Sequence, residues 1–302
     1  MFSRSKVLLV AIVALAAVVF TPVTANATFP GENGRILFNR GSIETPTFIA
    51  SMKPDGSDVQ RLTGPQNSFG GAWDPDGTRF VYARTNDVGE VDLFLRDADG
   101  SNRTRVTDTE KDEFQVAFAP TGNRIVYQKC GFRCDLFKKN LATGVETQLT
   151  DTRRADELGP QWGADDLIVF TRAPRRGDLE VFTIHSDGTV LKQITNNRQR
   201  ADVAASWSPD GTRLVYSRCG IEGNCELFTM DPDGSGKDRI TNTIGDEFGA
   251  KYSPNGRSFV FSKSRSEFPS DIFRMRTNGT RLTRLTDTPN KFEVDVDWQP
   301  LN

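Results

Sequence analysis

Histidine is almost missing from this chain: His185 is the single copy in 302 residues. That excludes metal sites built from histidine clusters and leaves no material for a His-based catalytic triad outside one outer turn. A Gly-x-Ser-x-Gly nucleophile elbow is also absent. Gly234-Ser235-Gly236-Lys237 opens no helical pattern, so it is not a phosphate-binding loop. No run of Lys and Arg interleaves with aromatics, and the formal net charge is −2, which disfavours a nucleic-acid partner. Nothing after residue 20 is apolar for long enough to cross a bilayer. No stretch sustains a helical period.

The N-terminus does carry a signal. Arg4 and Lys6 precede an uncharged apolar run of 14 residues, Val7 to Phe20, short for a span but suited to a leader peptide. Ala25-Asn26-Ala27 fits small-x-small cleavage, so residues 1–27 are read as a signal peptide and the mature chain as 28–302. Its formal charge is −4, and it is expected to be secreted or periplasmic.

What is abundant is repetition. Trp207-Ser208-Pro209-Asp210-Gly211 reads as a strand end and a tight turn, because Pro209 presets φ and Gly211 can take a positive one. The phrase recurs at Trp73, Phe118 and Tyr252, with a degenerate copy at Trp162 and a truncated one at Trp298. Successive copies from Trp73 to Tyr252 are 45, 44, 45 and 45 residues apart, the period of a propeller or another repeat array. Each repeat continues with an aromatic-ended strand such as Leu214-Val215-Tyr216. Acidic-aliphatic-Phe follows (Asp92-Leu93-Phe94, Glu226-Leu227-Phe228), and a short strand ends in aliphatic-Thr. That makes four short strands per repeat, here a to d. The aromatic columns at the ends of strands a and b are expected to pack neighbouring sheets together.

The first repeat lacks strand a, and the tail, Glu293 to Trp298, is a strand a without a successor. If the tail joins the N-terminal strands, the fold is all-β: a six-bladed β-propeller of four-stranded antiparallel blades with no free edge. The Trp-Ser-Pro-Asp-Gly turn, the acidic-aliphatic-Phe strand and the Asp-Gly-Ser turn resemble the WD40-like repeats of the TolB β-propeller family over residues 31 to 302. The resemblance implies a non-catalytic scaffold that binds a protein or peptide in the cell envelope. TolB carries a further N-terminal domain that is not seen here, so roles depending on it do not transfer.

Two sets of residues are singled out. Cys130/Cys134 and Cys219/Cys225 each bracket a b–c hairpin, where facing Cα atoms suit a disulfide, and an exported chain meets an oxidising compartment. Five residues before the strand-a aromatic stand Ser68, Glu113, Glu157, Asp202, Glu247 and Glu293. Five of these six are acidic, and with Asp108, Asp151 and Asp287 they are expected to form an acidic mouth on the b–c and d–a face. Such a ring could hold a basic partner segment or a cation such as Ca²⁺, or its carboxylates could serve the local turns. No cofactor is required, and a monomer is expected. The alternative is a carbohydrate-binding or polysaccharide-active propeller that uses two mouth carboxylates. Arg35, Arg79, Arg124, Arg213 and Arg257, opening strand b at the opposite end, are expected to pair locally.

Overall fold

The computed structural model describes residues 29–42, 44–220, 223–264 and 269–301. The expected leader at 1–27 lies outside them. Among the described residues there is no α-helix, and strands carry the chain. The first repeat gives β1 (Glu32–Ser42), β2 (Thr45–Met52) and β3 (Gln60–Arg61). The second gives β4 (Ser68–Trp73), β5 (Arg79–Thr85), β6 (Val91–Asp97) and β7 (Thr104–Arg105). The third gives β8 (Asp112–Phe118), β9 (Arg124–Cys130), β10 (Cys134–Asn140) and β11 (Glu146–Gln148). The fourth gives β12 (Ala155–Trp162), β13 (Leu167–Pro174), β14 (Glu180–His185) and β15 (Lys192–Gln193). The fifth gives β16 (Ala201–Trp207), β17 (Leu214–Gly220), β18 (Gly223–Met230) and β19 (Asp238–Arg239). The last gives β20 (Asp246–Tyr252), β21 (Ser258–Ser264), β22 (Ser270–Arg276) and β23 (Thr283–Arg284), and then β24 (Phe292–Leu301).

Repeats two to five are four separate four-stranded sheets in chain order. The remaining eight strands form one sheet, β20-β21-β22-β24-β1-β2-β3, with β23 on β22. It divides into two arrays, because β22 and β24 share only a parallel bridge between Ser270 and Phe292. β24 instead pairs antiparallel with β1 from Glu32–Leu301 to Gly41–Phe292. The first strands of successive arrays lie side by side: β4 with β8, β8 with β12, β12 with β16, β16 with β20, β20 with β24, and β24 with β4.

Turn chemistry sets these elements. Gly77, Gly122, Gly211 and Gly256 close the a–b turns with φ of 68° to 72°, where a Cβ is strained. At Gly77 a Cβ would also lie 2.1 Å from the Pro300 carbonyl oxygen. The aromatic columns are buried between sheets. One cluster joins Val169 and Val181 of the fourth repeat to Trp207, Leu214 and Tyr216 of the fifth. The strand-b aromatic meets the strand-c Phe within each sheet, as in Tyr216–Phe228 at 5.8 Å. The aliphatic-Thr signature has a specific task. Thr63, Thr107, Thr150, Thr195, Thr241 and Thr286 each accept the strand-c backbone N–H on Oγ1 at 2.8–2.9 Å. Strand d is only two or three residues long, so this hydroxyl ties it down where a ladder cannot.

Both cysteine pairs are disulfides, joining facing residues of β9–β10 and β17–β18. The sequence separations are 4 and 6 residues, so each bridge removes little chain entropy. Replacing either pair by serine should cost about 2 kcal/mol in urea unfolding, leaving the fold intact.

Candidate functional site

The first strand of every array carries one extra residue. The ladder shifts at Phe69/Ala72, Phe114/Ala117, Leu158/Gln161, Val203/Ser206, Phe248/Lys251 and along β24 opposite Leu37/Asn39. At each bulge one residue is left-handed: Gly70, Gln115, Gly159, Ala204, Gly249 and Asp295, with φ of 45° to 60°. In a regular pleat, residues five apart face opposite ways. The bulge reverses this, so the residue five before the aromatic shares its face, turned into the interface between sheets.

This corrects the expected acidic mouth. Glu113, Glu157, Asp202, Glu247 and Glu293 are at most 1% exposed, and each faces a cation directly across the ladder. Arg172 reaches Glu157 at 2.8 Å, Arg218 reaches Asp202 at 2.7 Å and Arg40 reaches Glu293 at 2.6 Å. Lys129 stands 3.5 Å from Glu113, and Lys263 pairs with Glu247. Hydroxyls complete the shells: Thr107 and Thr109 donate to Glu113, Thr152 to Glu157, and Thr241 and Thr243 to Glu247. Burial raises the carboxyls of Glu113, Glu157 and Glu247 above the ordinary range, against the pull of these partners. The strand-c acids are used in the same way. Glu226 accepts Thr243 N–H at 3.1 Å and pairs with Arg239 at 2.8 Å; Asp271 accepts Thr288 N–H at 3.2 Å and pairs with Arg284 at 2.6 Å. These carboxylates therefore neutralise buried cations and hold loops, and none of the five is open to a basic partner or Ca²⁺; of the expected mouth, Asp108, Asp151 and Asp287 are exposed.

The residues that do face the axis are three and one before the aromatic. They surround a cavity of 110 Å³ lined by the first strands of all six arrays. Its charges are Lys251, Asp295 and Asp297. Asp297 accepts the Trp73 N–H at 2.7 Å, and Asp295 accepts from Asn39 Nδ2 at 2.8 Å and from the Gly70 N–H. The two carboxylates thus fasten β24 to β1 and β4. Asp295 is open to water inside the cavity although protein surrounds it. Burial pushes both carboxyls up, and Lys251 opposes this. Burial in turn pushes the Lys251 ammonium down, against the two acids. Phe29 stands at the far end among Trp73, Phe118, Trp162, Trp207 and Trp298.

The b–c and d–a loops share one rim, as the hydrogen bonds from Arg175 N to Arg154 O and from Gln199 N to Asp178 Oδ2 show. Its exposed charge differs between sectors, with Asp151 standing among the arginines and Lys111 among the acids. Repeats three and four present Arg153, Arg154, Arg175, Arg176, Arg198 and Arg200, all exposed. Among the described residues none of these six guanidinium groups has an ion pair. Phe132, at the tip of the Cys130–Cys134 hairpin, is 87% exposed, with the guanidiniums of Arg133 and Arg175 each 5.5 Å from its ring. The first two repeats present Glu44, Asp87, Asp108 and Glu110. At the opposite end the expected local pairing holds for three of the five arginines: Arg79 meets Asp74 at 2.7 Å, Arg213 meets Asp231 at 2.7 Å and Arg35 meets Asp58 at 2.8 Å, whereas Arg124 and Arg257 have no ion pair among the described residues.

Sequence reading missed Lys251, Asp295 and Asp297. Their signal is departure from the repeat. The residue before the aromatic is Ala72, Ala117, Gln161 or Ser206 in the earlier copies and becomes Lys251 and Asp297 in the last two. The arginine sector is spread over three loops and forms no run.

No family model matches the chain. It is 27% identical over 138 residues to a TolB homolog of Chlorobaculum tepidum, covering 45% of this chain and 30% of that protein. It is 32% identical over 183 residues to a protein of Agrobacterium fabrum, covering 60% of each. The chain therefore spans less than two thirds of these relatives. In fold it is similar to TolB from Acinetobacter baumannii, with a TM-score of 0.76 at 18% identity, over 88% of this chain and 67% of that one. An oligogalacturonate lyase in complex with manganese is similar too, with a TM-score of 0.60 at 16% identity, over 86% of this chain and 77% of that one.

Proposed function

Because this chain belongs to the TolB-type β-propeller family, we propose that it is an exported, non-catalytic scaffold that binds a protein or peptide partner. The six four-stranded arrays are its blades, and β24 closes their ring on the N-terminal blade. The partner docks on the rim of repeats three and four through an acidic segment. The observation that carries this reading is the group of six exposed arginines that have no ion-pair partner among the described residues, beside an exposed Phe132 on a disulfide-closed hairpin. Unpaired cations around an exposed aromatic offer both steering and a buried anchor. The axial charges are bound up with β24 and stay with the fold.

The test is capture from an envelope extract with the chain beginning at Thr28. A stoichiometric partner that elutes with salt is expected. Changing Arg153, Arg154, Arg175 and Arg176 together to Gln should lower its affinity about a hundred-fold and leave the melting temperature within a few degrees, since among the described residues these side chains make no ion pair or hydrogen bond and Arg175 touches only the exposed Phe132 ring. If the variant retains the same partner undiminished, the rim reading fails. Retention and cleavage of a polygalacturonate by the wild type would replace it with the polysaccharide-active alternative.

A further inference from the structure

One of the six interfaces between arrays departs from the others. In five, a strand-a carboxylate faces a strand-b cation: Glu113 and Lys129, Glu157 and Arg172, Asp202 and Arg218, Glu247 and Lys263, Glu293 and Arg40. In the sixth the register is the same, and Arg84 faces Ser68. The second acid of the interface is gone as well. Ile49 donates to Thr63 as Leu93 donates to Thr107, so the position of Asp92 in the next repeat is held here by Phe48, with Arg61 stacked 4.2 Å above it.

Arg84 is 9% exposed and Ser68 is fully buried. Among the described residues the Arg84 guanidinium has no ion pair and no hydrogen bond; it rests on the Phe94 ring at 5.3 Å. Its neighbour on the other side, Asp92, is held through Oδ2 by Arg105 at 2.7 Å and Asn86 at 2.9 Å, while its Oδ1 has no partner among the described residues and makes no ion pair with Arg84. The Ser68 hydroxyl donates to the Gln66 carbonyl at 3.2 Å. The cation is thus left with little solvent and, among the described residues, no counter-ion, unlike its five counterparts. Serine lacks the arm that brings a carboxylate to the cation in the sister interfaces, while the cation remains.

We propose that Arg84 and Ser68 form a socket for a carboxylate supplied in trans. The chemical class follows from the molecule's own template, since the equivalent cation meets a carboxylate in all five sister interfaces. The carboxylate enters from the rim and accepts hydrogen bonds from the Arg84 guanidinium, which presents the planar fork that suits it. It belongs to a small organic acid or to an acidic side chain of a peptide, and the socket reads the group they share. This inference does not depend on the arginine sector, which lies on other repeats.

The test is titration of the chain from Thr28 with acetate, succinate and a short glutamate-rich peptide, against chloride at constant ionic strength. The readouts are the melting temperature and the heat of binding. A saturable rise with carboxylate and none with chloride is expected. Ser68→Glu places the missing group on the chain itself. It should raise the melting temperature without ligand and weaken carboxylate binding at least ten-fold. Arg84→Met should also abolish binding, and the four-arginine variant of the rim should keep it. A peptide at least ten-fold tighter than acetate identifies a polypeptide as the source; equal affinities identify a small acid. The proposal is overturned if carboxylates act no differently from chloride. It is overturned equally if Ser68→Glu binds as wild type or melts lower.

Discussion

Removing residues 292–302 should leave a chain that no longer unfolds cooperatively and is recovered mainly as aggregate. The segment is β24, the innermost strand of the array that β1, β2 and β3 complete. It buries Val296 and Trp298 at 2% and 3% exposure. Trp298 Nε1 donates to the Gly34 carbonyl at 3.2 Å, and Gln299 joins two neighbours, donating to the Gly77 carbonyl at 2.7 Å and accepting the Arg35 N–H at 2.9 Å. Losing one large buried aromatic costs about 3–5 kcal/mol, and a whole domain is stable by about 5–15 kcal/mol. The truncation also discards the ladder to β1 and the Asp297 bond to Trp73, and it bares the edges of β1 and β4. A truncated chain that melted in one sharp transition within a few degrees of the intact one would refute the closing role of β24. Circular dichroism melts and sedimentation distinguish the two outcomes.

Arg218→Ala should cost about 3–5 kcal/mol, far more than a surface charge is worth. Asp202 is fully buried, and Arg218 holds both its oxygens, at 2.7 and 2.8 Å. The guanidinium also covers Tyr216 and Phe228, at 5.4 and 4.8 Å from their ring centres. Without it, a carboxylate stays between two sheets with Asn197 as its one remaining side-chain partner among the described residues. Replacing both residues by apolar ones, Arg218→Met with Asp202→Leu, removes the stranded charge and should restore most of the loss. Urea unfolding of the two variants separates these cases. A single variant within about 1 kcal/mol of wild type would mean that solvent already screens the pair.

The frame of this molecule was legible because turn chemistry and strand chemistry repeat in phase. Pro209 and Gly211 announce a turn wherever they recur, and the strand-a pattern of Glu293 to Trp298 matches the strand that the first repeat lacks before Arg35-Ile36-Leu37-Phe38. The cysteine pairs were legible for the same reason, since a pair bracketing a hairpin is a local relation. The direction of the carboxylates was not. A bulge depends on backbone conformation at one residue, and Gln115, Ala204 and Asp295 adopt the left-handed state that glycine marks in the other three copies. Half of the bulges therefore carry no glycine, and without the bulge the parity of Glu113 or Glu157 is read the wrong way. The arginine sector was hidden for another reason. Arg154 and Arg175 meet only when strand a pairs with strand b, and Phe132 joins them from the preceding repeat.

The ion pairs between sheets have a further consequence. Glu113 and Lys129 lie on one a–b hairpin, as do Glu157 and Arg172, Asp202 and Arg218, and Glu247 and Lys263. A duplication that copies such a unit whole copies an electrically balanced module, so copy number can grow or shrink without stranding a charge. Glu293 and Arg40 are the exception, with acid and base at opposite ends of the polypeptide. Opening the chain elsewhere, by circular permutation at the Cys219–Cys225 hairpin for instance, would leave every module whole and turn that last pair into an ordinary internal one.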